Sequence, residues 1–136
     1  MSRRRLLSTL AVLVCVIAVM HIIATLFFLY WTLWWYDVIL HFLGGIFSGL
    51  LVLWLRFFSG YFGSPSIPPE GRVLCFAVVT TLCIGVGWEV FERLLGHTWS
   101  IEGYWLDTSL DVILGLFGGT IAFLFFRSRY MDAHGV

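Results

Sequence analysis

The sequence is poor in charge. Only 12% of its 136 residues are Asp, Glu, Lys or Arg, whereas 60% are hydrophobic. That ratio excludes an ordinary water-soluble domain, in which about a quarter of residues are charged. Lysine is absent, since Arg3, Arg4, Arg5, Arg56, Arg72, Arg93, Arg127 and Arg129 make up all the basic residues, and the formal net charge is zero. There is thus no basic field for nucleic acid, and none is expected as a partner. Cysteine is scarce and odd in number: Cys15, Cys75 and Cys83 sit inside apolar stretches without metal-ligand spacing, which argues against a disulfide framework. Prolines number three and all fall between Ser59 and Arg72. Neither an internal repeat nor a low-complexity tract is present.

What the sequence does have is long apolar runs. Four of them, Leu6 to Phe28, Val38 to Phe58, Val73 to Leu95 and Asp107 to Phe126, match the roughly 20 residues a helix needs to cross a bilayer core about 30 Å thick. The expected fold class is an all-α membrane protein, a four-transmembrane-helix bundle forming one integral membrane domain over residues 1–136. The start, "MSRRRLLSTLAVLVCVIAV", has the basic flank of a signal peptide. Its apolar run, however, passes the 7–15 residues of a signal h-region and ends in no small-residue cleavage site, so an uncleaved first span is expected.

Arginine placement sets the expected orientation. Arg3, Arg4 and Arg5 hold the N-terminus in the cytoplasm under the positive-inside rule. Four alternating spans then return the C-terminus to the same side and leave Arg93 alone at the outer boundary. The link "SGYFGSPSIPPEGR", 59–72, reads as a cytoplasmic loop. "YWTLWWY", from Tyr30 to Tyr36, and "GHTWSIEGYWL", from Gly96 to Leu106, read as outer loops whose tryptophans form an interfacial belt. The localisation implied is the inner (cytoplasmic) membrane of a bacterium, with the lipid bilayer as the first partner.

Against this background the polar residues stand out. Asp37 and His41 open the second span, Glu89 and Glu92 close the third, and Asp107 and Asp111 open the fourth. Because alternate spans run in opposite directions, all three pairs reach the outer end. Spacings of three and four residues put each pair on one helix face. Inward along those faces come small residues: Gly45, Ser48 and Gly49; Thr81 and Gly85; Gly115, Gly118, Gly119 and Ala122. Small residues let membrane helices approach closely, so the polar edges are expected to share one outward-open pocket.

Asp37 and Asp107 could simply cap helix N-termini. Glu89 and Glu92 sit where the dipole disfavours negative charge, and His41 and Asp111 lie a turn inside, where no cap is needed. Glu89 could pair with Arg93, but one arginine cannot compensate five carboxylates. Ionisable groups inside a membrane are costly and mark functional sites. So many acidic groups must either share protons or bind cations, and carboxylates with one imidazole form a ligand set for Zn²⁺, Mn²⁺ or Fe²⁺. His21, mid-span in the first helix, is an auxiliary candidate. His97 and Glu102 read as solvated loop residues.

The stretches "YDVILHFLGG", "WEVFE" and "EGYWLDTSLDVILGLFGG" resemble the YjdF-like group of small bacterial inner-membrane proteins and, more distantly, the VanZ-like family. The likeness covers Tyr36 to Gly119. Val38 stands where the VanZ-like pattern has lysine, and Glu92 where it often has glutamine, which favours the YjdF-like side. The resemblance supports the choice of residues and implies no particular activity.

Three functional expectations follow. The first is a metal-dependent hydrolase or transferase acting on a lipid or lipid-linked substrate. In it His41, Glu89, Glu92 and Asp111 are ligands of a divalent ion, and Asp37 or Asp107 supports the ligands or serves as general base. The second is a proton- or ion-coupled transporter, which would need a homo-oligomer joined through Gly45 to Gly49 or Gly115 to Gly119 to complete a path. The third is a non-catalytic accessory subunit whose polar cluster fixes helix register.

Overall fold

A chain crossing a bilayer finds no water for its backbone N–H and C=O groups, so each apolar run closes its hydrogen bonds within itself as a helix. The computed structural model describes residues 3–62, 69–96 and 103–131. In chain order the helices are α1 (Arg3–Leu26), a short α2 (Leu29–Thr32), α3 (Trp34–Phe57), α4 (Glu70–Leu95) and α5 (Tyr104–Phe126), the last continued by a π-helical turn over Arg127–Met131. The four long helices have the length and hydropathy of membrane spans. The protein is an all-α, multi-pass membrane protein, and no strand occurs among the described residues.

The aromatic stretch after α1 is not the loop expected of it. Phe28 turns the chain in the left-handed region, with φ 56° and ψ 34°, which costs a non-glycine residue about 1–2 kcal/mol. Leu33 makes a second break at φ −132° and ψ 86°, and between the breaks the residues stay helical. Backbone groups at membrane-boundary depth are satisfied in this way. In consequence α3 starts at Trp34, a turn earlier than the apolar run suggests. The N-cap positions of α3 and α5 are Leu33 and Gly103, and neither makes a side-chain cap bond. Asp37 and Asp107 lie inside the first helical turns and are not N-caps. The link after α3 is shorter than expected as well, because Pro69 already caps α4.

Glycine sets the spacing at the bundle's centre, where α3 packs more extensively on α5 than on any other helix. A Cβ at Gly45 would collide with the backbone of Gly115, and one at Gly118 with the carbonyl of Phe42. One at Gly49 would come within 2.7 Å of the Ala122 Cβ, and one at Gly119 within 2.7 Å of the Thr81 hydroxyl. The small-residue faces are therefore used within the protomer, where they bring α3, α4 and α5 together.

The end of the bundle that carries the termini is apolar. Leu6, Leu53, Val73, Phe126, Tyr130 and Met131 are buried in one cluster. Phe126 stacks on Tyr130 at 4.9 Å, and Tyr130 meets Phe58 at 5.0 Å. This places the start of α1, the end of α3, the start of α4 and the end of α5 side by side. The polar residues consequently gather at the opposite end.

Candidate functional site

Three helices deliver side chains to that opposite end. From α3 come Asp37 and His41, one turn apart, with Asp37 Oδ1 3.5 Å from His41 Nε2. From α4 comes Glu89, whose Oε1 is 3.8 Å from His41 Nδ1. From α5 comes Asp111, whose Oδ2 is 3.8 Å from His41 Nε2. The Thr108 hydroxyl, one turn before Asp111 on α5, donates to Glu89 Oε2 at 3.0 Å. Helix α4 ends just beyond, where Gly96 takes the left-handed conformation (φ 75°) and closes the helix through its N–H to Arg93 and Glu92 carbonyls, a common helix C-terminus.

His41 is the hub, since its two ring nitrogens face carboxylates from three helices. The protein itself buries the group: side-chain exposure is 12% for His41, 9% for Glu89, 6% for Asp111 and 23% for Asp37. Beneath it the Gly45 to Gly115 contact seals the bundle, and the Ser48 hydroxyl is turned back onto the Gly45 carbonyl at 3.2 Å. Further in, Ser48 and Thr81 are the buried polar side chains among the described residues.

Two subsets have metal-ligand spacing. Asp37, His41 and Asp111 each offer one ligand atom within 4.8 Å of the others, and so do His41, Glu89 and Glu92. Asp37 thus stands in the same position as the expected ligands, whereas Asp107 is exposed at the rim. Asp107 acts on the cluster only through its charge, which reaches Asp37, His41, Glu89, Glu92 and Asp111.

Both auxiliary residues lie outside the centre. Arg93 is exposed and its guanidinium rests over the Tyr104 ring, 4.1 Å from the centroid. It makes no ion pair with Glu89 among the described residues, because the ring gives it a cation–π partner. His21 is exposed and its Nδ1 is 2.7 Å from the Tyr30 hydroxyl. Burial, then the negative charges of Asp37 and Glu92, hold that phenol well above its ordinary range. Tyr30 shares this hydrogen bond with His21 and sits at the edge of the carboxylate group. His97 and Glu102 lie outside the described residues.

Thr108 and Tyr30 were not among the residues the sequence pointed to. For Thr108 a signal existed, since three residues before Asp111 is the same helix face. For Tyr30 none did, because its place depends on the helical form of α2.

The sequence itself has relatives. The chain matches the family described as predicted membrane protein (DUF2238) over residues 1–132. The chain is a member of that family. It is the YjdF family, consistent with the likeness read over Tyr36 to Gly119; the more distant VanZ-like likeness is not shown. No curated protein and no solved structure matches the sequence.

Proposed function

We propose that this DUF2238 protein is a divalent-metal-dependent hydrolase or transferase acting on a lipid or lipid-linked substrate. Its setting would be a bacterial cytoplasmic membrane, with the termini inside, where nearly all the arginines lie, and the polar site outside. The observation that carries the proposal is the spacing around His41. Its nitrogens lie 3.5–3.8 Å from three carboxylate oxygens, longer than the about 2.7–3.2 Å of a hydrogen bond. Ligand atoms about 2.0–2.2 Å from a tetrahedral ion stand roughly 3.3–3.6 Å from one another, which is close to the 3.5 and 3.8 Å from His41 Nε2 to Asp37 and Asp111.

Within this reading the second subset has a supporting part. A ligating histidine normally gives its other N–H to a carboxylate. Glu89 is placed to accept from Nδ1 and is itself held by Thr108. The donor set, two carboxylates and an imidazole, suits Zn²⁺, Mn²⁺ or Fe²⁺. Bound there, the ion would offset the carboxylate charge, which otherwise repels an anionic phosphate. Asp107, on the exposed rim, would serve as the general base that takes a proton from an attacking water. In a phosphoester hydrolysis that water oxygen bonds to phosphorus, the ester P–O bond breaks, and the leaving alcohol receives a proton. Transport through one protomer is disfavoured by the glycine-sealed bundle below the cluster.

Elemental mass spectrometry on detergent-purified protein after mild chelation tests the ligands. Near-stoichiometric metal in the wild type, lost in His41→Ala and Asp111→Asn and retained at reduced affinity in Glu89→Gln, supports the reading. A wild type that binds no metal, and whose melting temperature ignores added divalent ions, would sink it. Release of phosphate from lipid phosphates by the metal-loaded wild type, and its loss in Asp107→Asn with metal content unchanged, tests the chemistry.

A further inference from the structure

A second site lies at the other end of the molecule. Near the termini α1 is held to the bundle by Leu6 and Leu10, which join the apolar cluster. Further along, α1 stands away from α5, and a groove of about 500 Å³ opens between α1, α3 and α5, within the roughly 300–1,000 Å³ of small-molecule sites. Its walls include Val12, Val16, Ile46, Leu50, Ile121 and Phe125. The two hydroxyl residues at its mouth, Ser8 and Thr9, give their protons to the Arg4 and Arg5 carbonyls at 3.0 Å. The groove therefore presents hydrocarbon and asks for hydrocarbon.

What meets the mouth is positive charge. Arg4 and Arg5 stand one turn before Ser8 and Thr9 on α1, so they share those residues' helix faces, and both are exposed. Arg129 approaches from the π-helical turn after α5, its guanidinium 5.9 Å from the ring centroid of the groove residue Phe125. Arg127, its neighbour, pairs with Glu70 of α4 at 2.9 Å. From Arg5 to Val16 the helix rises about 16 Å, close to half of a roughly 30 Å hydrocarbon core. An apolar channel one leaflet deep with cations only at its headgroup end has the shape and charge of one ligand class.

We propose that this groove binds an anionic glycerophospholipid from the leaflet on the side of the termini. One acyl chain lies along Val16, Leu50 and Ile121, and the phosphate is met by Arg4, Arg5 and Arg129. The site is separate from the carboxylate cluster and does not rest on the metal reading. A lipid held there fills the gap left by α1, the least embedded helix, with 11% of its span buried against 39% for α5.

The test is native mass spectrometry and thermal shift on the full chain in a neutral detergent, titrated with phosphatidylglycerol and with phosphatidylcholine of the same acyl chains. The wild type should bind phosphatidylglycerol at least about tenfold more tightly, and Arg4→Gln, Arg5→Gln or Arg129→Gln should each weaken it about fivefold, with phosphatidylcholine unchanged. These arginines are at the surface, so the variants fold. Val16→Trp, which fills the groove, should weaken both lipids. His41→Ala should change neither, which separates this site from the metal proposal. Equal binding of the two lipids, or undiminished preference in the Arg4→Gln/Arg5→Gln/Arg129→Gln triple variant, overturns the proposal. So does a disulfide between two copies of Val16→Cys in a background without Cys15, Cys75 and Cys83, which would make the occupant a second chain.

Discussion

The two ends of this bundle are built on opposite principles. At the terminal end Phe57, Phe58, Phe126 and Tyr130 interlock, with ring centroids 4.9–6.0 Å apart. At the other end Asp37, His41, Glu89, Glu92 and Asp111 are drawn together from three helices. Aromatic packing stabilises helix contacts in lipid through dispersion, whereas buried carboxylates without arginine partners cost several kcal/mol per charge. One end holds the helices, and the other uses that rigidity to keep unfavourable groups in register. Between them the glycine contacts of α3 and α5 transmit the spacing, so the comparison can be broken most severely there.

The largest effect is expected from Gly45→Leu. Its Cβ has nowhere to go except into the Gly115 backbone, so α3 and α5 must separate and both ends must loosen. The loss of stability should exceed about 3 kcal/mol, at the top of the overpacking range. Read as melting temperature in detergent, it should appear as little or no cooperative unfolding. Gly44→Ala is the control: nothing lies within 4 Å of a Cβ there, so the melt should hold or rise by up to about 1 kcal/mol as alanine replaces glycine inside a helix. Equal behaviour of the two variants would show that the glycine contact does not set the helix spacing.

Next in size is Phe126→Ala, which strikes one end only. Phe126 is fully buried, and its loss leaves a cavity among Phe57, Phe58 and Tyr130. In water-soluble cores such a change costs about 3–5 kcal/mol. In lipid the transfer part is missing because the surroundings are as apolar as the core, so about 1–3 kcal/mol of lost packing is expected. The melting temperature should fall while metal retention at the opposite end stays at the wild-type level. Loss of metal in this variant would mean that the two ends are not the separable modules described above.

The spans were legible because hydropathy alone specifies them, and the membrane fold depends on little else. The pairs Asp37 with His41, Glu89 with Glu92, and Asp107 with Asp111 were legible because helical spacing assigns each pair a face. The direction of each span assigns it an end. Rank within the site was not legible. Asp37 falls among the candidate ligand positions and Asp107 at the rim although each is the fourth residue of its helix, because their rank depends on how each helix is turned against its neighbours, which has no strong sequence signal. The same is true of Tyr30, which is carried to the site by a four-residue helix between two backbone breaks at Phe28 and Leu33. Spacing alone left open whether Gly45 to Gly49 would face a helix of the same chain or of a copy. A small-residue face does not reveal which helix will cover it, and here α5 of the same chain does.

The smallest effect on stability, and the sharpest on the site, is expected from Thr108→Val. The substitution keeps the volume and removes one hydroxyl, and Glu89 Oε2 loses its 3.0 Å hydrogen bond. Losing one such bond at a half-buried position costs about 1 kcal/mol. The melt without metal should fall by no more than that, a few degrees. If Glu89 orients His41 through Nδ1, however, freeing Glu89 lets the imidazole rotate away from Asp37 and Asp111, and affinity for the divalent ion should fall about tenfold, the low end of the effect of removing a supporting hydrogen bond. A variant with unchanged affinity would place Glu89 outside the chain of support, and a variant that loses the metal altogether would move Glu89 into the ligand set beside His41 and Glu92.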